Sequence, residues 1–197
     1  MAVEQCDNFM WFHGSSDVVG ETTDAMFSQR DAFEVLSFGF GMNCDEVTEG
    51  KGATNTSGKA KFNSLTVEKV VDSASTDLFK ACSKGMIFPT VMLGVRHSGG
   101  NPVLYLQYIF RYNQVTGISW NGGSGTERAK ETITLTFKAM GMQYIQQMAD
   151  ATLKPGKKWF WSTVDQGKGG TGGSPTLVID GLPPPPVFLP GADFSGR

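Results

Sequence analysis

His13 and His97 are the chain's two histidines, and they stand too far apart in sequence to suggest a shared acid-base site. Each is read as a structural residue. Cys6, Cys44 and Cys82 are odd in number, widely spaced and without a CxxC pair, which argues against both a disulfide framework and a zinc site and for reduced thiols. Gly52 to Ala60 looks like a phosphate-binding loop but reads Gly-x5-Gly-Lys-Ala, one residue too long and lacking the Ser or Thr that would hold magnesium. Gly167-Lys-Gly-Gly-Thr-Gly172 matches GxGxxG, yet Gly173-Ser-Pro175 follows where a helix would have to begin. Asn121-Gly-Gly-Ser124-Gly-Thr126 lacks the final glycine of a nucleophile elbow. No catalytic residue, no cofactor site and no metal site is read from this sequence, and the expectation is a protein that is not an enzyme.

Trp159, Phe160 and Trp161 beside Lys157 and Lys158 have the residue types of a stacking platform for single-stranded nucleic acid. Charge argues against it: 17 Lys plus Arg face 19 Asp plus Glu, a net charge of -2, so there is no electrostatic basis for binding a polyanion or an anionic membrane. The cluster is expected to be a buried barrel strand. Charged residues make up only 18% of the chain, against about 25% in an ordinary soluble domain, and charge depletion is a property of surface that enters interfaces. Small glycine-rich β domains share it, and Gly is 25 of the 197 residues. The acidic N-terminus has no basic, apolar leader pattern, and no apolar run approaches membrane-spanning length. Neither a signal peptide nor membrane insertion is expected.

The elements that carry these residues show mostly a period of two. In Glu131 to Lys138, Ile133, Leu135 and Phe137 alternate with Thr132, Thr134 and Thr136. Phe33 to Met42 is read as one strand, with Leu36, Phe38, Phe40 and Met42 toward the core and Ser37, Gly39 and Gly41 opposite. Further strands are expected at Phe9 to Phe12, Lys61 to Val70, Thr90 to Arg96, Val103 to Tyr112 and Val115 to Trp120, separated by Gly- and Asn-rich turns. One helix is expected over Ser75 to Lys84, capped by Ser73 or Ser75, with Asp77 in its first turn, Leu78, Phe79 and Cys82 on its apolar face, and Gly85 as its stop. It is expected to plug or cover one end of a barrel. Met142 to Leu153 fits both a helix and a continuing strand. The fold class that results is mainly β: a compact β-barrel of two packed antiparallel sheets with one short α-helix. After residue 166 the composition shifts, and the last 31 residues hold 8 Gly and 6 of the 9 Pro, so a domain at 1–166 and a Gly/Pro-rich extension at 167–197 are expected.

The order of several segments is specific: Phe33-Glu-Val-Leu-Ser-Phe-Gly-Phe-Gly41, Gly58-Lys-Ala-Lys-Phe62, Leu65-Thr-Val-Glu-Lys69, the helix Ala74 to Lys84 with Gly85, Val95-Arg-His-Ser-Gly-Gly100, Thr132-Ile-Thr-Leu-Thr-Phe137 and Trp159 to Gln166. Over roughly residues 8 to 166 this set resembles the Hcp family, the tube protein of bacterial type VI secretion. The resemblance implies a ring-forming barrel, a homohexamer whose rings stack into a tube. It also implies partners: a contractile sheath, a spike protein and secreted effectors carried in the lumen. Such a protein is cytoplasmic before assembly and then leaves the cell without a signal peptide. Other readings remain: a tail-tube subunit of a related phage-like contractile particle, a free ligand-binding barrel, or a specialised effector acting through the extension. Within the tube reading, Ser37 and Gly39 are expected to face the lumen. The loop carrying Asp45, Glu46, Glu49 and Lys51 is expected to stack on the next ring. Leu177, Val178 and Ile179 are expected to dock the extension as a short added strand.

Overall fold

The computed structural model describes residues 6–44, 60–98, 102–124, 128–148, 153–164 and 188–189. The candidate stacking residues Asp45, Glu46, Glu49 and Lys51 and the candidate docking residues Leu177, Val178 and Ile179 lie outside them.

Along the chain the elements are β1 (Cys6–Phe12), a 3-10 turn (Ser28–Arg30), β2 (Phe33–Val35), β3 (Ser37–Gly39), β4 (Met42–Cys44), β5 (Ala60–Phe62), β6 (Leu65–Val70), α1 (Ala74–Lys84), β7 (Ile87–His97), β8 (Leu104–Asn121), β9 (Lys130–Thr136), β10 (Ala139–Gln147) and β11 (Leu153–Ser162). Every ladder among them is antiparallel. The main sheet runs β2-β1-β7-β8-β9-β6-β3. Only Leu36 separates β2 from β3, and its N–H donates to the Glu68 carbonyl at 2.8 Å. One continuous piece of chain therefore pairs with β1 at one end and β6 at the other, and the sheet closes into a barrel with no free edge along this circuit.

That closure corrects the expected strand over Phe33 to Met42. Phe33 and Val35 point inward, Leu36 and Ser37 are both exposed, and Phe38 and Phe40 turn inward again. The two consecutive outward residues are the local cost of changing partners from β1 to β6, as at a β-bulge. Leu36 is consequently 48% and Met42 52% exposed, not on the core side. Ser37 and Gly39 do lie on the outer face, opposite Phe38.

β8 is one strand of 18 residues where two were expected. Its first part lies between β7 and β10, with Gln107 opposite both Gly94 and Gln143. Its last part pairs with β9 from Gln114 to Asn121. The change of partner falls at Tyr112, which has a positive φ of 57°, and at Asn113, whose buried amide donates to the carbonyls of Phe110 and Phe88. β10 and β11 thus branch off the barrel as a hairpin. Of the ambiguous segment Met142 to Leu153, the part through Gln147 is strand β10 and Leu153 begins β11, while residues 149–152 lie outside the described residues. β11 is not the buried barrel strand expected around Trp159: β10 lies between it and β8, so among the described residues β11 pairs only with β10, and Trp159 is 60% exposed.

Two apolar clusters result. Met10, Phe12, Phe33, Val35, Leu65, Val67, Val91, Leu93, Phe110, Ile133 and Leu135 fill the barrel, and α1 lays Ala74, Leu78 and Ala81 against them. Phe9, Trp11, Phe27, Met92, Leu104, Ile109 and Ala139 form a second cluster. β1 contributes alternate residues to both, which is why Phe9-Met-Trp-Phe12 is an unbroken apolar run. The helix stops at Gly85 as expected, with φ 62° and its N–H on the carbonyls of Ala81 and Cys82. Its start differs in part: Ser73 makes no side-chain cap bond, the Asp72 carboxylate accepts the Ala74 N–H at 2.9 Å, and Ser75 Oγ reaches back to accept the Asp72 N–H at 3.0 Å. Phe79 is exposed rather than part of the apolar face.

Candidate assembly surface

The histidines do not converge. His13 follows β1 at one end of the β1–β7 ladder and His97 pairs with Cys6 at the other, about 20 Å away at the rise of an extended strand. His13 lines a groove of about 580 Å³ with Trp11, Arg30, Asp31, Met92 and Leu189. Partial burial, with Arg30 and Arg111 as secondary causes, holds its pKa below the ordinary histidine value. His97 stacks on Tyr105 at 4.0 Å. Among the described residues no cluster of His, Cys, Asp and Glu is arranged to hold a metal ion, and no helix is long and apolar enough to cross a membrane.

What the barrel does bury is a polar network. Lys69 Nζ lies 3.0 Å from Glu131 Oε1 and 2.6 Å from Asp72 Oδ1, and donates to the Val70 carbonyl at 2.9 Å. Ser75 Oγ donates to Glu131 Oε1 at 2.8 Å, and Trp120 Nε1 donates to Glu131 Oε2 at 2.9 Å. Burial raises the Asp72 pKa despite the opposing contact with Lys69. The network ties β6, β9, β8 and the start of α1 together with its charges paired, the condition under which buried ions are tolerated. Sequence reading overlooked it. Lys69 is in phase with Leu65 and Val67, and Glu131 with Ile133 and Leu135, and that shared phase with opposite charge was the available signal.

The outward surface has the opposite character. Gly39 is open, since a Cβ built there meets nothing within 4 Å, and Ser37 Oγ donates to Glu68 Oε2 at 3.1 Å. On the hairpin branch, Met142 and Trp159 face each other across β10 and β11, both exposed, with exposed Tyr144 on the same strand. Tyr144 meets Tyr105 edge to face at 6.3 Å. Near the helix, exposed Phe79 and Trp120 lie 5.8 Å apart. Large apolar side chains on a charge-poor surface are the raw material of protein–protein contact.

Residues 9–144 match the family model described as Type VI secretion system effector, Hcp. The chain belongs to the Hcp family. It is 32% identical over 106 residues to the protein Hcp1 of Pseudomonas aeruginosa, an alignment covering 53% of this chain and 65% of that relative's length. A solved structure described as a type six secretion system protein shares 28% identity with a TM-score of 0.70, over 80% of this chain and 96% of the other. Hcp1 from Salmonella typhimurium superposes with a TM-score of 0.63 at 23% identity, over 80% and 95% of the two chains, a likeness of fold. The Hcp resemblance read from the ordered segments is thereby borne out. So is the mainly β barrel with one short helix.

Proposed function

We propose that this Hcp-family chain is a structural subunit of a type VI secretion inner tube, forming homohexameric rings that stack, are expelled by a contractile sheath behind a spike protein, and carry effectors in the lumen. Family membership supports the setting, and one feature of this chain carries the assembly reading: the β10–β11 branch presents Met142, Tyr144 and Trp159 to solvent beside a strand that pairs on one side only among the described residues. An apolar face next to an open strand edge favours edge-to-edge joining of identical subunits, and a rotation that closes makes a ring. The open backbone at Gly39 and the small side chain of Ser37 suit a lumen wall that lets cargo come close to the main chain. In this reading the loop with Asp45, Glu46, Glu49 and Lys51 mediates stacking. The protein works by surface complementarity rather than catalysis, and it passes from the cytoplasm to the outside. Light scattering on the purified full chain tests the reading. Particles of six 21.3-kDa chains are expected at micromolar concentration, and a concentration-independent monomer overturns it.

A further inference from the structure

Gln107 is the fourth residue of β8 and has no exposed surface. A buried side-chain amide is destabilising if its groups are left without partners. Its Nε2 donates to the Leu189 carbonyl at 2.8 Å, and its Oε1 accepts the Leu189 N–H at 2.9 Å. One side chain therefore satisfies both backbone groups of a single residue 82 positions away, the same pair of groups that a neighbouring strand would engage. The residue before it, Phe188, is 9% exposed and belongs to the second apolar cluster with Phe9, Trp11, Met92 and Ile109. Its ring stacks on Phe160 at 5.9 Å, and Lys158 Nζ lies 5.7 Å from its centre.

We propose that Phe188–Leu189 is an anchor that holds the C-terminal extension on its own barrel, in a site built from Gln107, Phe160 and the second apolar cluster. Specificity divides between the two residues. Gln107 reads extended backbone at position 189 and is indifferent to the side chain there, whereas the apolar cluster takes an aromatic ring at position 188. Pro190 follows the dipeptide and biases Leu189 toward extended backbone before docking, which lowers the ordering cost. The anchor gives the second cluster an occupant from the same chain. The site is thus a receptor for an extended aromatic-aliphatic peptide that the subunit itself fills, and this holds whether or not the subunit forms a tube.

Hydrogen exchange on the full chain, read by NMR, tests the anchor. The Leu189 amide is expected to exchange at least tenfold more slowly than the free-chain rate, and Phe188→Ala to abolish that slowing while the amides of Leu93 and Leu135 keep theirs. If Phe188→Ala also releases Leu93 and Leu135, the milder Phe188→Leu is read instead, with a partial loss confined to Leu189. A Leu189 amide that exchanges at the free rate in the unmodified chain overturns the proposal. To establish that the barrel is the chain's own, p-benzoylphenylalanine is placed at position 188 and irradiated. An adduct within one chain, to peptides from β1, β7, β8 or β11, is expected. An adduct joining two chains, or none to those strands, overturns it.

Discussion

Lys69 and Glu131 stand directly opposite each other across the β6–β9 ladder, 3.0 Å apart, with neither side chain reaching solvent. Removing one member leaves the other charged, buried and short of a partner, whereas removing both also removes the desolvation cost. Lys69→Met is expected to destabilise the subunit by about 3–5 kcal/mol. The double variant Lys69→Met with Glu131→Gln should cost less than the sum of the two single changes. Urea unfolding of the four proteins forms the cycle that measures this, and strict additivity would show that the pair is not coupled.

His13 makes stability depend on pH in a defined direction. Its folded pKa lies below 6.5, chiefly because of burial. A depressed pKa means that the folded state holds the proton less well than the unfolded chain. This contribution is present in full above pH 6.5 and is lost as pH falls through the folded value. Thermal melts between pH 7.5 and 5 should show a smaller decline for His13→Gln than for the unmodified chain. An NMR titration of the His13 ring should have its midpoint below 6.5.

Two glycines should respond oppositely to a side chain. At Gly39 a Cβ meets nothing within 4 Å, whereas at Gly20 it would lie 2.2 Å from the Ala32 carbonyl oxygen. Gly39→Gln is expected to change stability by no more than about 0.5 kcal/mol, and Gly20→Ala to cost about 2 kcal/mol or more. With the lumen assignment of Gly39, the first variant should also recover less co-purifying effector per ring. Equal recovery at equal stability would remove Gly39 from the cargo path.

Trp159 separates folding from assembly, since it is exposed in the single subunit. Trp159→Ser should leave the melting temperature of dissociated chains unchanged while weakening ring formation tenfold or more, the scale of a central aromatic at an interface. Analytical ultracentrifugation over a dilution series reads both species. Rings as tight as those of the unmodified chain would place the subunit contact elsewhere.

Much of the barrel could be read from period two: β9 from Ile133 and Leu135, β6 from Leu65 and Val67, and α1 from its acidic first turn and Gly85. The parts that escaped share a cause, because each depends on a change of partner that alternation does not encode. Leu36 looks like a core residue until the chain leaves β1 for β6. Tyr112 looks like the end of a strand because β8 exchanges β10 for β9 there. Trp159 looks buried because apolar residues on a branch strand and on a barrel strand have the same pattern. Lys69 and Glu131 were legible in phase but were passed over, since a charge on an apolar face is meaningful only when its opposite is known to lie across the ladder. Phe188–Leu189 offers two residues with no period at all, and its site is assembled from positions far earlier in the chain.

β8 belongs to the barrel wall along one part of its length and to the hairpin branch along another, over a contour of about 60 Å for its 18 residues. It acts as a mechanical spar. A push or pull delivered to the branch runs along this single backbone into the barrel and loads its flanking ladders in shear, so that many hydrogen bonds share the force instead of parting one after another. The strand runs unbroken through Tyr112 along that path, and thrust applied at one region would move the other with it.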